Sequence, residues 1–404
     1  MATIRPFRAH RPPQSTVARV ASPPYDVINT KEARDLARGN DDSYLHVSRP
    51  EIDLPEGTDE HDDRVYDQGA INLKKLIERK ALVQDPEPRL YVYAQKMGQH
   101  RQVGLVACAS VKDYVEDRIK KHEKTRQDKE DDRTRHIDTL GAHDEPVFLT
   151  YKAVKAIDDV IAGVTATRPV YDFDTNDKVH HTLWVVDAAQ TQRLVQLFDK
   201  VPTLYVADGH HRSASAARVH ELRKGKPGEH DVFLAVIFPH DQMQILAYNR
   251  LVRDTKNRSA EELLKAFRER FDVAPSDTAV PDKPRTFGLY LGGRWYRLTA
   301  REGTFDAKDP VASLDASICQ DLILAPMFGI TDPRRDKNVD FVGGIRGYGE
   351  LEKRVREEGW HLALHLYPTR IEQLIAVSDA GMLMPPKSTW FEPKLRSGLF
   401  LHTF

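Results

Sequence analysis

Between Leu204 and Ala214 the chain reads Leu-Tyr-Val-Ala-Asp-Gly-His-His-Arg-Ser-Ala: an apolar strand pattern stops at an acid and a glycine, and a small-residue helical pattern starts at once. A strand that turns through glycine directly into a helix leaves the first helical N–H groups without an acceptor and puts the positive end of the dipole at the turn. That geometry suits an anion. Arg212 and the imidazoles of His210 and His211 would add side-chain donors. Gly209, His210, His211, Arg212 and Ser213 are therefore the expected phosphate contacts. Asp208 is placed to orient a histidine or to hold Mg²⁺ through water. The competing reading is a glycine turn whose histidines cap local groups. Two adjacent histidines and an arginine are more than such a turn needs.

The rest of the composition excludes more than it identifies. The 404 residues include 60 basic and 61 acidic side chains, a balance that gives no pull toward nucleic acid or membrane. Cys108 and Cys319 lie far apart in apolar surroundings, which makes them buried, inert thiols rather than a disulfide framework. The first residues lack the apolar core of a signal peptide. No apolar run approaches the roughly 20 residues of a membrane helix. A cytoplasmic location is expected.

Along the chain the pattern is that of an α+β (mixed α/β) protein without a long βαβ series. Prolines 6, 12, 13, 23 and 24 stud the first 30 residues, and 21–28, which cannot be helical across its prolines, reads as an extended, rigid loop, followed by a helix capped at Thr30 and a second helix over 59–79. Residues 90–93 and 102–109 read as a hairpin, and 146–151, 181–186, 231–238 and 244–252 as strands. Helices are expected over 190–198 and 259–271, and Gly292-Gly293 as a second hairpin turn. The segments expected to behave as domains are 1–110, 111–255 with the site, and 256–404 closing on it.

Three further blocks carry chemistry-bearing residues. The polar run 119–133 packs His122, Glu123, Lys129 and Arg133 into a short segment. Lys129 and Arg133 share a face if it is helical, and a carboxylate beside phosphate-binding cations is suited to general base work. A solvated charged helix is the plainer reading of such a run. In the tail, Lys387, Ser388 and Thr389 offer donors and Trp390 a stacking face, or else Trp390 and Phe400 simply tie the terminus down. Arg334 and Arg335 sit in a turn that nothing local ties to a site. Walker, G-x-G-x-x-G and G-x-S-x-G patterns are absent.

Four motifs in order, Ser22-Pro-Pro-Tyr-Asp-Val27, Lys121-His-Glu-Lys-Thr125 with Asp132-Arg133, Ala207-Asp-Gly-His-His-Arg212 and Lys387-Ser-Thr-Trp-Phe391, resemble the bacterial and archaeal family designated domain of unknown function ten-fifteen. The Asp208–Arg212 turn is also similar to the signature of the ParB/sulfiredoxin-like superfamily, and looks closest to its free-serine-kinase branch. That resemblance implies a nucleotide-binding core with N- and C-terminal α/β elaborations, phosphates on the turn, and a glutamate that activates a hydroxyl. Sulfiredoxin chemistry would need a cysteine at the turn, where this chain has none. The resulting expectation is an ATP-dependent (ATP or ADP plus Mg²⁺) kinase of a small hydroxyl metabolite, with free L-serine the acceptor that the resemblance implies. Glu123, His122 and Asp208 would be its catalytic groups, with Lys129, Arg133, Lys387, Thr389 and Trp390 on the substrate. Alternatives are a nucleotide-binding switch without an acceptor, and a metal-dependent hydrolase built on His122, His210 and His211. No nucleic-acid partner is expected, and a homodimer is left open.

Overall fold

Apolar and β-branched runs from the first part of the chain line up as one nine-stranded mixed sheet in the computed structural model, which describes residues 1–404. The order across it is Ile119–Lys120, Leu204–Asp208, Val147–Tyr151, Val232–Pro239, His100–Ser110, Tyr91–Met97, Val179–Val185, Tyr171–Asp174, with Ile4–Arg5 also paired to His100–Ser110. Two neighbouring pairs are parallel: Ile119–Lys120 with Leu204–Asp208, and Val147–Tyr151 with Val232–Pro239. The expected mixed α/β class is the one observed. Alternate residues of these strands, such as Leu149, Val206 and Ile237, point into one apolar cluster with Ile157, Leu194 and Ala216 from three helices. Each large apolar side chain there contributes about 1.5–3 kcal/mol by leaving water.

The chain divides into two compact units, Met1–Met243 with Pro393–Phe404, and Gln244–Glu392. This differs from the three consecutive segments expected at 1–110, 111–255 and 256–404, for a physical reason. A boundary at 110 would separate His100–Ser110 from its antiparallel partner Val232–Pro239, paired from Val232↔Ser110 to Ile237↔Leu105. The C-terminal residues also return to the first unit, where His402 pairs with His143 and Ser397 with Ser22. The second unit holds a six-stranded antiparallel sheet: Phe271–Pro275, Arg294–Ala300, Thr286–Leu291, Leu362–Leu366, Tyr248–Val252, Val339–Gly343. The expected single strand over 244–252 is two. Gln244–Leu246 pairs with Trp390–Glu392, while Tyr248–Val252 enters the six-stranded sheet. No helix is long and apolar enough to cross a membrane. Both cysteines are free and buried.

Most of the expected elements form; besides the split strand, Tyr25–Val27 makes a 3-10 turn inside the loop expected to be extended, and the helices differ at their caps. The first expected helix is Thr30–Ala37, but Asn29 rather than Thr30 caps it, in a reciprocal capping box with Glu32. The expected 59–79 and 259–271 helices are Asp63–Glu78 and Ala260–Phe267, each starting at a side-chain cap, Asp62 and Ser259. The expected hairpin forms, its strands extended to Tyr91–Met97 and His100–Ser110 and closed tightly at Met97↔His100.

One close approach fixes the sheet's centre. A Cβ on Gly104 would lie 2.8 Å from the Phe238 ring, and Phe238 is fully buried with no room to retreat. Gly104→Ala is expected to destabilise the protein by about 1–3 kcal/mol, read as a lower denaturation midpoint with an unchanged slope.

Candidate phosphate site

Leu204–Asp208 runs parallel to Ile119–Lys120, with Leu204 opposite Ile119 and Tyr205 opposite Lys120. Continuing that register sets residues 122 and 123 beside 207 and 208, so the polar run and the histidine turn leave the sheet at the same end. On its other side Leu204–Asp208 carries a bulge against Val147–Tyr151, where the register steps from Val206↔Leu149 to Asp208↔Phe148. The extra residue, Ala207, bends the strand just ahead of the turn and re-aims the Asp208–Arg212 segment.

Gly209 then takes φ +91°, the left-handed region that glycine alone enters cheaply, and the helix His210–Leu222 begins. Any Cβ at 209 would also meet the Arg212 Nε at 2.9 Å. Helix geometry leaves the His210, His211 and Arg212 N–H groups without an intrahelical acceptor. Ser213 differs from expectation. Its N–H donates to the Gly209 carbonyl, and its hydroxyl to the His210 carbonyl at 3.0 Å, with the side chain fully buried. Both donors are used in closing the first turn, so Ser213 has none to offer a phosphate.

Asp208 is held from two sides. Its Oδ1 accepts the Gly209 N–H at 2.8 Å, and its Oδ2 accepts from Lys394 Nζ at 3.0 Å. Burial alone would raise its pKa, but Lys394 and Arg212 outweigh that and hold the carboxyl below the usual carboxylate range. A carboxylate so engaged is a poor ligand for the Mg²⁺ expected there; it anchors Lys394 at the turn. Arg212 is itself buried, donating to the Pro146 carbonyl at 2.5 Å, its charge retained against burial by Asp208, Asp26 and Glu145.

The imidazoles sit in three different settings. His122 is 1% exposed, and burial depresses its pKa to about 4; the Val206 backbone and Asp208 pull the other way, yet neither ring nitrogen has a partner in hydrogen-bond geometry. His210 meets it edge to face, ring centroids 4.4 Å apart, and burial and His122 together hold its pKa well below normal. His211 is partly exposed and its Nε2 accepts the Arg126 N–H at 3.1 Å. Glu123, half-buried, puts a carboxylate oxygen within 4.8 Å of ring nitrogens of both His122 and His210.

Lys129 and Arg133 lie one turn apart on the helix Gln127–Leu140, as expected. Both line a small cleft together with Tyr25, Arg49, Glu60 and His61. Arg133 is buried, paired with Asp132 at 2.8 Å and stacked 4.1 Å over Tyr25. Lys387, Thr389 and Trp390 belong to the second unit. There Lys387 Nζ lies 5.5 Å over the Tyr248 ring, and Trp390 packs edge-on to Tyr248 and donates to Glu392 at 2.7 Å.

Further residues, absent from the expected set, stand at the site. Lys394 lies in the same tail as Lys387, just past Glu392-Pro393, and a lysine set in an extended, proline-bearing segment is the available signal. Tyr25 and Asp26 come from the proline loop, whose Tyr25 N–H donates to Glu145 at 3.1 Å. Glu145 gives no signal, because the acidic pair Asp144-Glu145 ahead of Pro146 looks like a turn.

A strand, a left-handed glycine and a helix start, ringed by Arg212 and Lys394, define a mixed α/β protein with a basic, donor-rich sheet edge. The chain belongs to the DUF1015 family, whose model, described as "Protein of unknown function (DUF1015)", matches residues 4–317. None of the curated proteins matches. Solved structures that align with it include a conserved hypothetical protein from Pyrococcus furiosus (13% identity, TM-score 0.35, covering 70% of this chain and 93% of that one). A free serine kinase in complex with AMP aligns at 12% identity and TM-score 0.36 over 70% and 89% of the two chains. SbnI with a C-terminal truncation, from Staphylococcus aureus, aligns at 12% identity and TM-score 0.38 over 74% and 87%. The wider likeness to the ParB/sulfiredoxin-like signature rests on the Asp208–Arg212 turn alone.

Glu145 makes the site's surroundings sensitive to pH. It is buried, accepts from Tyr25 N–H and from the Ser397 hydroxyl at 2.8 Å, and is pushed up to about 7 by burial and by Asp144. A carboxyl whose folded pKa exceeds its unfolded value holds its proton more tightly when folded. Its contribution is therefore fully present below about pH 4.5 and is lost as pH rises toward 7. Glu145→Gln is expected to flatten the fall in stability between pH 5 and 7, by on the order of 1–3 kcal/mol, measured as denaturation midpoints across that range.

Proposed function

We propose that the chain is an ATP-dependent phosphotransferase acting on a small hydroxyl metabolite. The observation that carries this reading is the convergence, at one end of two parallel strands, of the Glu123 carboxylate and the His210–Leu222 helix start. The N–H groups of His210, His211 and Arg212 receive phosphate oxygens, and Arg212 and Lys394 supply fixed positive charge to offset the negative charge on the phosphoryl group during transfer. Magnesium arriving on the nucleotide would further neutralise the phosphates. Glu123 takes the acceptor's hydroxyl proton as its oxygen bonds to the terminal phosphorus and the bond to the ADP oxygen breaks. Lys129 and Arg133 face the cleft as anchors for a carboxylate on the acceptor. The resemblance of the turn to that of the serine-kinase branch makes free L-serine the first acceptor to test.

The test is to incubate the folded protein with ATP, Mg²⁺ and a panel of amino acids and polyols, L-serine first. Acceptor-dependent ADP release is the expected result, with Glu123→Gln lowering turnover by about 10²–10⁴-fold and leaving ADP affinity within a few-fold. Nucleotide binding with no transfer to any acceptor would mean that phosphate is held rather than moved, and would overturn the reading.

A further inference from the structure

The buried ring of His122 is a group at this site whose needs nothing in the chain meets. It is 1% exposed, and both ring nitrogens lack a hydrogen bond. Leaving a buried polar group unsatisfied costs about 1–3 kcal/mol. The Val206 backbone faces the ring but leaves both nitrogens outside hydrogen-bond geometry, and the His122 backbone N–H reaches His210 Nε2 only at 3.5 Å, too long to engage that lone pair firmly. Around this orphan stand a second buried imidazole and a carboxylate, all three ligand atoms within 4.8 Å of one another.

We propose that His122, Glu123 and His210 bind a divalent transition-metal ion. Two imidazole nitrogens and one carboxylate oxygen are a donor set that suits zinc or cobalt, whereas magnesium takes oxygen ligands. Three protein ligands leave a position open for water or a phosphate oxygen. Tetrahedral metal–nitrogen bonds of about 2.0–2.1 Å put ligand atoms about 3.3 Å apart, so atoms now within 4.8 Å of one another must close by up to about 1.5 Å, a shift within the reach of side-chain torsions. Two of the ligands are carried by well-constrained local elements. His122 follows a strand registered against Leu204–Asp208, and His210 opens a 13-residue helix. Glu123 can ligate through one oxygen and keep the other as a proton acceptor, so this site and the phosphotransferase reading coexist; they share the placing of Glu123 beside His210, and the metal site stands in addition on the unpartnered His122 ring.

The experiment strips the full chain with chelator and dialyses it against Zn²⁺, Co²⁺ or Mg²⁺ without nucleotide. Elemental analysis gives stoichiometry and the Co²⁺ visible spectrum reports imidazole ligation. One Zn²⁺ or Co²⁺ per chain is expected, and no Mg²⁺. Glu123→Gln and His122→Asn should each weaken binding by about tenfold or more, while His211→Asn should not. Circular dichroism shows which variants fold, and Glu123, being only half-buried, supplies one that keeps the test valid if His122→Asn unfolds. No stoichiometric ion, or binding indifferent to Glu123→Gln in folded protein, overturns the proposal. Protein that transfers phosphate to an acceptor while binding no transition-metal ion would sink this inference alone, and ion binding without transfer would sink only the kinase reading.

Discussion

The parallel pairing of Ile119–Lys120 with Leu204–Asp208 is two residue pairs long, and the functional arrangement depends on it. Parallel strands deliver their following residues to the same side of a sheet. Here they deliver His122-Glu123 and Asp208–Arg212, some ninety positions apart in sequence, to one edge. An antiparallel pairing of the same segments would have sent them to opposite ends. The bulge at Ala207 and the positive φ of Gly209 then set the direction in which the turn faces. The His210–Leu222 helix is held against Gln127–Leu140 by Ser215, which donates to the Glu130 carbonyl, and by Arg223 on Asp138. The segment that carries Lys129 and Arg133 is thereby tied to the segment that carries the turn.

Electrostatics make the second layer. Arg212, Arg133, Asp208 and Glu145 lie at or beneath the site, and none is left alone: Asp208 holds Lys394, Arg133 holds Asp132 and stacks on Tyr25, Arg212 caps the Pro146 carbonyl, and Glu145 accepts from Tyr25 and Ser397. Removing one member of a buried charged pair costs more than the pair contributes, because the survivor stays desolvated. Such a network is therefore a stiff platform. It keeps positive charge fixed at the helix start without a ligand to hold it there, which is the preorganisation that stabilising a phosphoryl group requires.

Much of this is legible in the sequence, and the gaps have physical causes. The strand–glycine–helix unit is readable because every cue is local: the apolar run, the glycine and the small-residue helix. Glu123 is reachable only through the density of His122, Lys129 and Arg133 around it, since a charged run alone reads as a solvated helix face. Ser213 is not, because its place in the first turn says nothing about whether its donors point inward. Asp208 suggests a metal ligand because its partner, Lys394, sits 186 positions away. The division into units differs from the expected segments for the same reason on a larger scale. A unit closed by Pro393–Phe404 is not contiguous, and pairing over such separations leaves no trace in periodicity.

The central claim is that the start of the His210–Leu222 helix holds the phosphates of a nucleotide. The most direct measurement is a crystal structure of the protein with a non-hydrolysable ATP analogue and Mg²⁺. The account predicts phosphate oxygens within hydrogen-bond distance of the His210, His211 and Arg212 N–H groups, with Glu123 facing the terminal phosphate. A nucleotide bound with its phosphates away from that helix start would contradict it.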